Sequence, residues 1–321
     1  MKVVVIGATG HVGGYLIPRL VEAGHDVVAI SRGIREPYRR HPAWDRVERV
    51  TADRAAEDVA GTFAGRIADL SADAVIDLVC FTRSSAAQLV DALRGRVELL
   101  VSCGTIWVHG TATEVPVTEE AVRRPRGEYG IGKAEIEDLL LRESRSAGGL
   151  RSVVLHPGHI SGPGWRVINP VGNLDLEVWE KLATGRQLVL PNFGLETVHH
   201  VHADDVAQGF QRAIERQSEA AGNSFHIVSE RALTLRGFAE AVAGWFGQEA
   251  ALTFAPFDEF RAQTTPESAA TTLEHISRSP SASIVKARRL LGYSPRYTSL
   301  EAVAEAVDWL HRDGQLALAR N

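Results

Sequence analysis

Cysteine is nearly absent. Only Cys80 and Cys103 occur in 321 residues, both inside apolar runs, which excludes a disulfide-built fold and reads as reduced core thiols of a cytoplasmic protein. No apolar run approaches the ~18 residues that span a bilayer, and the chain enters its first apolar stretch without a basic segment and cleavage site, so it is expected to be neither secreted nor membrane-spanning. Excess positive charge is missing too. A net charge of -5 and a pI near 6.2 give no general drive toward nucleic acid or an anionic membrane. Internal repeats and low-complexity tracts are also lacking. What remains, 45% hydrophobic and 23% charged, is the composition of a globular protein that can bury a large core as one big domain or two.

Glycine, by contrast, is placed with purpose. The run Val3-Val4-Val5-Ile6 leads into Gly7, Gly10 and Gly13, spaced G-x-x-G-x-x-G, and reads as strand, tight turn and helix. Gly7 permits the turn, Gly10 lets main chain approach a phosphate, and Gly13 lets the helix pack onto the sheet, which together propose a dinucleotide site. Ordinary strand-to-helix turns produce the same triplet, so the rest of the chain has to decide.

Val12, Tyr15, Leu16, Leu20 and Val21 then recur at helical spacing, with Gly24 as the closing residue and Pro18 as an expected kink or first-turn residue. Strands are expected at 27–30, 47–50, 74–79, 99–102, 152–155 and 224–228, and helices at 86–93, 135–143, 203–214, 235–246 and 300–310. Residues 34–45 read as an irregular connection, and 256–280 carry no clear pattern. Near-continuous apolar strands alternating with helices predict an α/β protein with a doubly wound parallel sheet, whose ligands lie outside the strands' carboxyl ends. At the end of the second strand stand Ser31 and Arg32. A carboxylate there would accept from ribose hydroxyls, whereas a small polar residue followed by arginine suits a 2′-phosphate, so NADP is favoured over NAD.

Tyr129 and Lys133 stand at i and i+4 on one face of a helix entered through Pro125 and Gly127. A phenol near pKa 10 is a poor base at neutral pH, but a fixed cation beside it favours phenolate, so the pair is a candidate proton-transfer unit. With only four lysines in the chain, coincidence is a poor explanation.

At this point the chain resembles the extended short-chain dehydrogenase/reductases, the NAD(P)-dependent epimerase/dehydratase group. The resemblance runs through Gly7 to Gly13, Tyr129 to Lys133, the loop Leu155 to Pro163, Val201-His202-Ala203-Asp204-Asp205-Val206-Ala207, and Lys286 to Tyr293. It implies a Rossmann domain over 1–158 plus about 196–230, and a smaller C-terminal substrate-binding α/β region over 159–195 and about 231–321. It implies Tyr129 as catalytic acid/base, Lys133 as the residue that binds nicotinamide-ribose hydroxyls and lowers the tyrosine pKa, and a serine or threonine after the fifth strand on the reacting oxygen. Matching Val108-His109-Gly110 to the family's V-Y-G puts Thr105 in that register, with Cys103 as the alternative if the register slips. The cofactor is expected on Gly7, Thr9, Gly10, His11, Val12 and Gly13, on Ser31 and Arg32, on Asp53 and Leu78, and on Tyr129, Lys133, His156 and His159.

Three departures from the family pattern narrow the chemistry. The acidic pair that dehydratases carry after the threonine is Ile106-Trp107 here, so elimination is unsupported. The common arginine before the loop proline is His156. Ser31-Arg32 replaces the acid of NAD-retaining epimerases. What remains is reversible hydride transfer at a carbinol of a sugar or nucleotide sugar, by an oxidoreductase or epimerase. The alternatives are an NADPH-dependent reductase of a non-sugar carbonyl, or a non-catalytic cofactor-sensing or RNA-associated protein. Substrate contacts are expected from Arg166, Asn169, Asn173, Asn192 and His200. His199, His200, His202, Asp204 and Asp205 superficially resemble metal ligands, but His202 and Asp205 match a structural pair of the family in which Asp caps a helix, and no metal is expected. The resemblance also implies a homodimer through a two-helix interface.

Overall fold

The computed structural model describes residues 1–37 and 39–318. The first half contains β1 (Lys2–Ile6), α1 (Gly13–Glu22), β2 (Asp26–Ser31), β3 (Glu48–Thr51), α2 (Arg54–Val59), α3 (Phe63–Ala68), β4 (Ala74–Asp77), α4 (Arg83–Leu93), β5 (Leu99–Cys103), α5 (Gly127–Arg145) and β6 (Ser152–Pro157). The second adds β7 (His159–Ser161), α6 (Glu177–Ala183), β8 (Leu188–Pro191), β9 (Thr197–Val198), β10 (His200–His202), α7 (Ala203–Glu215), α8 (Gln217–Ala220) and β11 (Ser224–Ile227). It ends with β12 (Leu233–Thr234), α9 (Leu235–Trp245), β13 (Leu252–Ala255), α10 (Phe257–Arg261), α11 (Pro266–Ile276), α12 (Val285–Leu291) and α13 (Ser299–Arg312).

The main sheet runs β11-β6-β5-β4-β1-β2-β3, and every neighbouring pair is parallel. Helices cover both faces, which explains why the strands are apolar throughout rather than alternating. Val3, Val5, Val27, Ile76, Val101 and Val153 bury against α1 and α7, while Val4, Ile6, Val28, Val75, Leu100 and Val154 bury against α3, α4 and α5. The expected doubly wound Rossmann sheet is therefore present. A third apolar cluster, with Trp179, Leu190, Phe238, Val242, Val303 and Leu310, is built from α6, β8, α9 and α13.

Several local expectations are corrected. Pro18 sits well inside α1 and fully buried, and the helix continues past it to Glu22; Gly24 closes it at φ +83°. The connection 34–45 ends in a 3₁₀ turn, Pro42–Arg46, capped by the His41 ring on the Ala43 amide; residue 38 of that connection lies outside the described residues. The stretch after His156 is not all loop, since β7 pairs with β10 in parallel. The unassigned 256–280 folds as α10 and α11, the latter capped by Thr265. At α7 the cap is His202 rather than an aspartate, its Nδ1 accepting from the Asp204 amide at 3.0 Å. Asp205 instead accepts from the Arg296 and Tyr297 amides at 2.8 and 3.1 Å. Among the described residues no helix is long and apolar enough to cross a membrane.

Candidate functional site

The strand order reverses at β1, with β2 on one side and β4 on the other, and ligands of open α/β sheets lie in the crevice such a reversal opens. Gly7 has φ +88°, and a Cβ there would fall 2.8 Å from the Val79 side chain and 3.3 Å from that of Leu78. A Cβ on Gly13 would fall 2.1 Å from the Ala8 carbonyl oxygen, so α1 rests directly on the turn. No side chain caps α1 and its first turn holds no acid, which leaves the positive end of the helix dipole facing the crevice beside Thr9, Gly10 and Val12. This cradle fits the pyrophosphate of a dinucleotide. The His11 ring is buried, meets the Pro163 carbonyl oxygen at 3.0 Å, and stacks on Trp165 with centroids 5.5 Å apart.

Ser31 ends β2, its hydroxyl accepting from the Gly33 amide at 3.3 Å, and Arg32 beside it is exposed. Asp53 is an exposed cap of α2, accepting from the Ala56 amide. Arg54, which the sequence reading passed over, meets buried Asp77 at 2.6 Å at the end of β4; a charge inside an apolar strand was the available signal.

At the end of β5, Thr105 rather than Cys103 faces Tyr129. The Thr105 hydroxyl accepts from the Trp107 amide at 3.3 Å, which leaves its own proton to donate, and its effect on the Tyr129 phenol is to favour the ionised form. The Cys103 thiol is buried, weakly bonded to the Gly104 carbonyl at 3.8 Å, and burial raises its pKa. Lys133 donates to the Cys103 carbonyl oxygen at 2.6 Å, and its Nζ lies 5.8 Å from the centroid of the Tyr129 ring. Tyr129 is 44% exposed, yet burial of its phenol, chiefly, pushes the pKa up to about 12. The expected lowering by the cation is thus corrected: the ammonium engages a carbonyl, and desolvation of the phenol dominates.

Beyond Tyr129 stands a wall the sequence reading largely missed. The Trp107 ring meets Tyr129 edge-on at 5.8 Å and His275 at 5.2 Å, while the Arg278 guanidinium lies 3.9 Å over its face. His159 is 5.0 Å from His275 and 5.6 Å from His200 between centroids. Burial lowers the pKa of all three imidazoles, that of His200 to about 3, so they are neutral at pH 7. His159 accepts at Nδ1 from the His199 amide, which assigns its proton to Nε2. Trp107 had registered only as a missing acid, and nothing local connects it to α11.

Of the expected substrate residues, only His200 belongs to this wall. Asn169 is fully buried and bonds Asn173, Asp175 and Val171 of its own turn. Asn173 donates to Thr272 at 3.1 Å and lines a cleft of about 540 Å³ with Lys181, Gln187 and Phe260. Asn192, at φ +52°, bonds Glu196 and the Phe257 amide; turn chemistry accounts for its side chain. Arg166 is exposed. His199 bridges the Ser229 carbonyl and the Ala282 amide, Asp204 pairs with Arg19 at 2.7 Å, and no group of residues among those described could hold a metal ion. A larger cleft of about 640 Å³, lined by Arg236, Glu240, Gln248 and Phe254, lies apart from these residues.

His156 takes a place the sequence did not foresee. Its Nδ1 accepts from the Thr105 amide at 2.9 Å, and its Nε2 lies 3.2 Å from Glu137 on α5.

Comparison with known proteins agrees with this geometry. The chain is 29% identical over 248 residues to a 2′-dehydrokanamycin reductase of Streptomyces kanamyceticus, covering 75% of this chain and 66% of that protein. It is 26% identical to a UDP-glucose 4-epimerase of Mycolicibacterium smegmatis over 98% of this chain and all of that one. Its fold matches that of UDP-glucose 4-epimerase from Thermotoga maritima, solved with UDP-glucose, with a TM-score of 0.72 at 18% identity over 98% of this chain and 99% of the other. The profile of the NAD dependent epimerase/dehydratase family matches residues 3–227, and the chain belongs to that family.

Proposed function

We propose that this protein moves hydride reversibly at a carbinol of a sugar nucleotide, as an epimerase or oxidoreductase, with NADP as its preferred nucleotide. The observation that carries the reading is the joint placement of Tyr129, Thr105 and Lys133 at the end of β5, beside the glycine cradle of β1 and α1. The bound nicotinamide supplies a hydride acceptor and donor. In reduction the Tyr129 phenol, protonated at neutral pH with its pKa pushed up to about 12, gives its proton to the carbonyl oxygen; oxidation runs the same transfer backwards and requires the phenolate, which the Lys133 charge favours. Thr105, already fixed as an acceptor by the Trp107 amide, directs its proton to the same substrate oxygen and stabilises developing charge there. Lys133 adds a fixed positive charge one helical turn from Tyr129, and the cradle of Gly7, Gly10 and Gly13 sets the height of the nucleotide.

A two-part substrate suits the wall. Trp107 stands between Tyr129 and His275, and one turn earlier on α11 Thr272 receives Asn173, which lines the cleft of about 540 Å³. Neutral imidazoles with Trp107 suit uncharged hydroxyls. The relatives named for UDP-glucose epimerisation support this substrate class. Arg32 after Ser31 supports NADP over NAD. The separate apolar cluster of α6, β8, α9 and α13 supports a Rossmann domain of 1–158 plus about 196–230 and a substrate region of 159–195 and about 231–321, whose last three residues lie outside the described ones. Buried free thiols suit a reducing, cytoplasmic setting, and a homodimer is the assembly we expect. The second reading, an NADPH-dependent reductase of a non-sugar carbonyl, shares Arg32 and gains weight from the similarity to a reductase.

Tyr129→Phe tests the assignment. Turnover should fall ~10²- to 10⁴-fold while nucleotide affinity changes by less than about twofold; near-normal turnover would sink it. Incubation with a UDP-hexose separates the two readings: an epimerase interconverts sugars with no net change in nicotinamide absorbance, whereas a reductase consumes NADPH stoichiometrically.

A further inference from the structure

We infer that Glu137 and His156 form a buried positioning pair that holds the Thr105 main chain, and through it the Thr105 hydroxyl, in line with the Tyr129 phenol. The inference rests on the proposed role of Thr105. It adds two buried residues that act through the Thr105 main chain.

Tyr129, Lys133 and Glu137 follow one another at i, i+4 and i+8, so the first three turns of α5 present phenol, ammonium and carboxylate along one face. Lys133 reaches the last carbonyl of β5. Glu137 reaches the next strand instead. His156, near the end of β6, lies between Glu137 and the residue that follows β5. Its Nδ1 accepts from the Thr105 amide at 2.9 Å, which assigns its proton to Nε2, and that nitrogen lies 3.2 Å from Glu137 Oε1, off the line of an ideal hydrogen bond. Arg123 closes the far side, with Nη1 2.9 Å from Glu137 Oε2 and Nη2 2.6 Å from Asp138.

Two features show that the ring has a single seat. A Cβ on residue 104 would fall 2.4 Å from His156 Nδ1, so glycine before Thr105 is what lets the imidazole reach the amide. On its other sides the ring meets His109 at 6.4 Å and His226 at 6.1 Å between centroids, and those two imidazoles are joined to each other at 2.8 Å. A buried ion pair is weak evidence for stability, because desolvation offsets its attraction. A carboxylate and an imidazole in series are suited to fixing one tautomer and one direction, as at metal and catalytic histidines. Here the fixed direction is that of an acceptor aimed at the Thr105 amide.

Three variants test this. In His156→Asn the amide oxygen takes the place of Nδ1 and keeps the acceptor; in His156→Gln an amide nitrogen takes the place of Nε2 and keeps the contact with Glu137 but not the acceptor; Glu137→Gln removes the charge behind the ring. We expect His156→Gln and Glu137→Gln to lower kcat about tenfold or more with KM and nucleotide Kd within about twofold, and His156→Asn to stay within about threefold of wild type. Thr105→Ala placed on His156→Gln should add less than about a twofold further loss, because both changes remove one interaction. Nitrogen-15 NMR supplies a readout independent of turnover: His156 should appear as the neutral Nε2–H tautomer, and the Thr105 amide resonance should move in His156→Gln and hold in His156→Asn. Wild-type kcat in both His156→Gln and Glu137→Gln, equal losses in all three variants, multiplying losses in the double variant, or an unmoved Thr105 amide overturns the pair. If His156→Gln does not fold, Glu137→Gln and His156→Asn decide by the same amide shift and kcat. Turnover retained in Tyr129→Phe would instead defeat the proposed function, and the amide and tautomer readouts would still decide the pair.

Discussion

Lys133 Nζ donates to the Cys103 carbonyl oxygen at 2.6 Å, joining the second turn of α5 to the last residue of β5. One buried ammonium therefore has two tasks in the proposed mechanism. It completes the hydrogen bonding of a strand end, and it places positive charge beside Tyr129. Lys133→Met preserves length and removes both. It should cost about 1 to 3 kcal/mol of stability through the unpaired carbonyl, and lower kcat by about 10²-fold or more. Thermal unfolding and steady-state kinetics on the same preparation separate the two effects. A lowered Tm with unchanged kcat would confine Lys133 to joining the elements.

The contact of α1 with its turn gives a sharper structural test. A methyl group on residue 13 would fall 2.1 Å from the Ala8 carbonyl oxygen, and neither neighbour is a flexible side-chain tip that can yield. Gly13→Ala should destabilise the fold by about 1 to 3 kcal/mol or more and weaken nucleotide binding by moving the α1 amides. Isothermal titration with NADP, alongside denaturant unfolding, measures both. Unchanged affinity would show that the cradle does not seat the pyrophosphate.

In the proposed reading, nucleotide preference is carried by the end of β2. Ser31→Asp places a carboxylate where the Ser31 hydroxyl accepts from Gly33, next to exposed Arg32. NADP affinity should fall at least about tenfold, because like charges repel, while NAD affinity holds or rises through the ribose hydroxyls. Fluorescence titration with both nucleotides reads the ratio. Equal losses for NAD and NADP would remove Ser31 from the nucleotide site.

Buried histidines make the fold acid-sensitive. Burial, the largest cause in each case, lowers His11, His109, His199 and His202 to about 4 and His200 to about 3, against about 6.5 in the unfolded chain. Across that interval the unfolded chain binds protons that the folded one does not, so stability present above pH ~6.5 is lost as pH falls, at up to about 1.4 kcal/mol per pH unit for each histidine. Asp205 acts in the opposite sense. Burial raises it to about 6, so its contribution is present below about pH 4 and is lost as pH rises through 6; Glu119 and Glu305 are raised as well, but nine histidines are lowered. Tm should therefore drop steeply between about pH 6.5 and 5. A flat Tm over that range contradicts the burial of these rings as neutral groups.

The sequence by itself determined the sheet. Strands covered on both faces must be apolar at every position, so Val3 to Ile6, Ala74 to Ile76 and Leu99 to Val101 declared themselves without reference to anything else. The glycine triplet and the Tyr129-Lys133 spacing were equally local, because a turn and one face of a helix are set within a dozen residues. Elements such as β7 and β10, three residues each and paired 41 positions apart, carry no periodicity of their own. Helices α10 and α11 acquire their buried faces only from distant partners.

Tertiary structure decided the rest of the site. Which hydroxyl or thiol after β5 faces Tyr129 depended on how β5, the 3₁₀ turn Ile106–His109 that Thr105 caps and α5 come together, and the answer was Thr105. The Tyr129 pKa was set by desolvation rather than by the charge that its spacing announced. The asparagines that sequence offered to a substrate are engaged in their own turns, while Trp107, His159 and, around the end of α11, His275 with Arg278 converge from three separate stretches. Glu137 was visible as the next residue on the face of Tyr129 and Lys133; that it meets His156, and through it the Thr105 amide, follows from the packing of α5 across β5 and β6. Local spacing fixes direction along one element, but the meeting of side chains from different elements is settled by packing and by the cost of leaving a buried polar group unpaired.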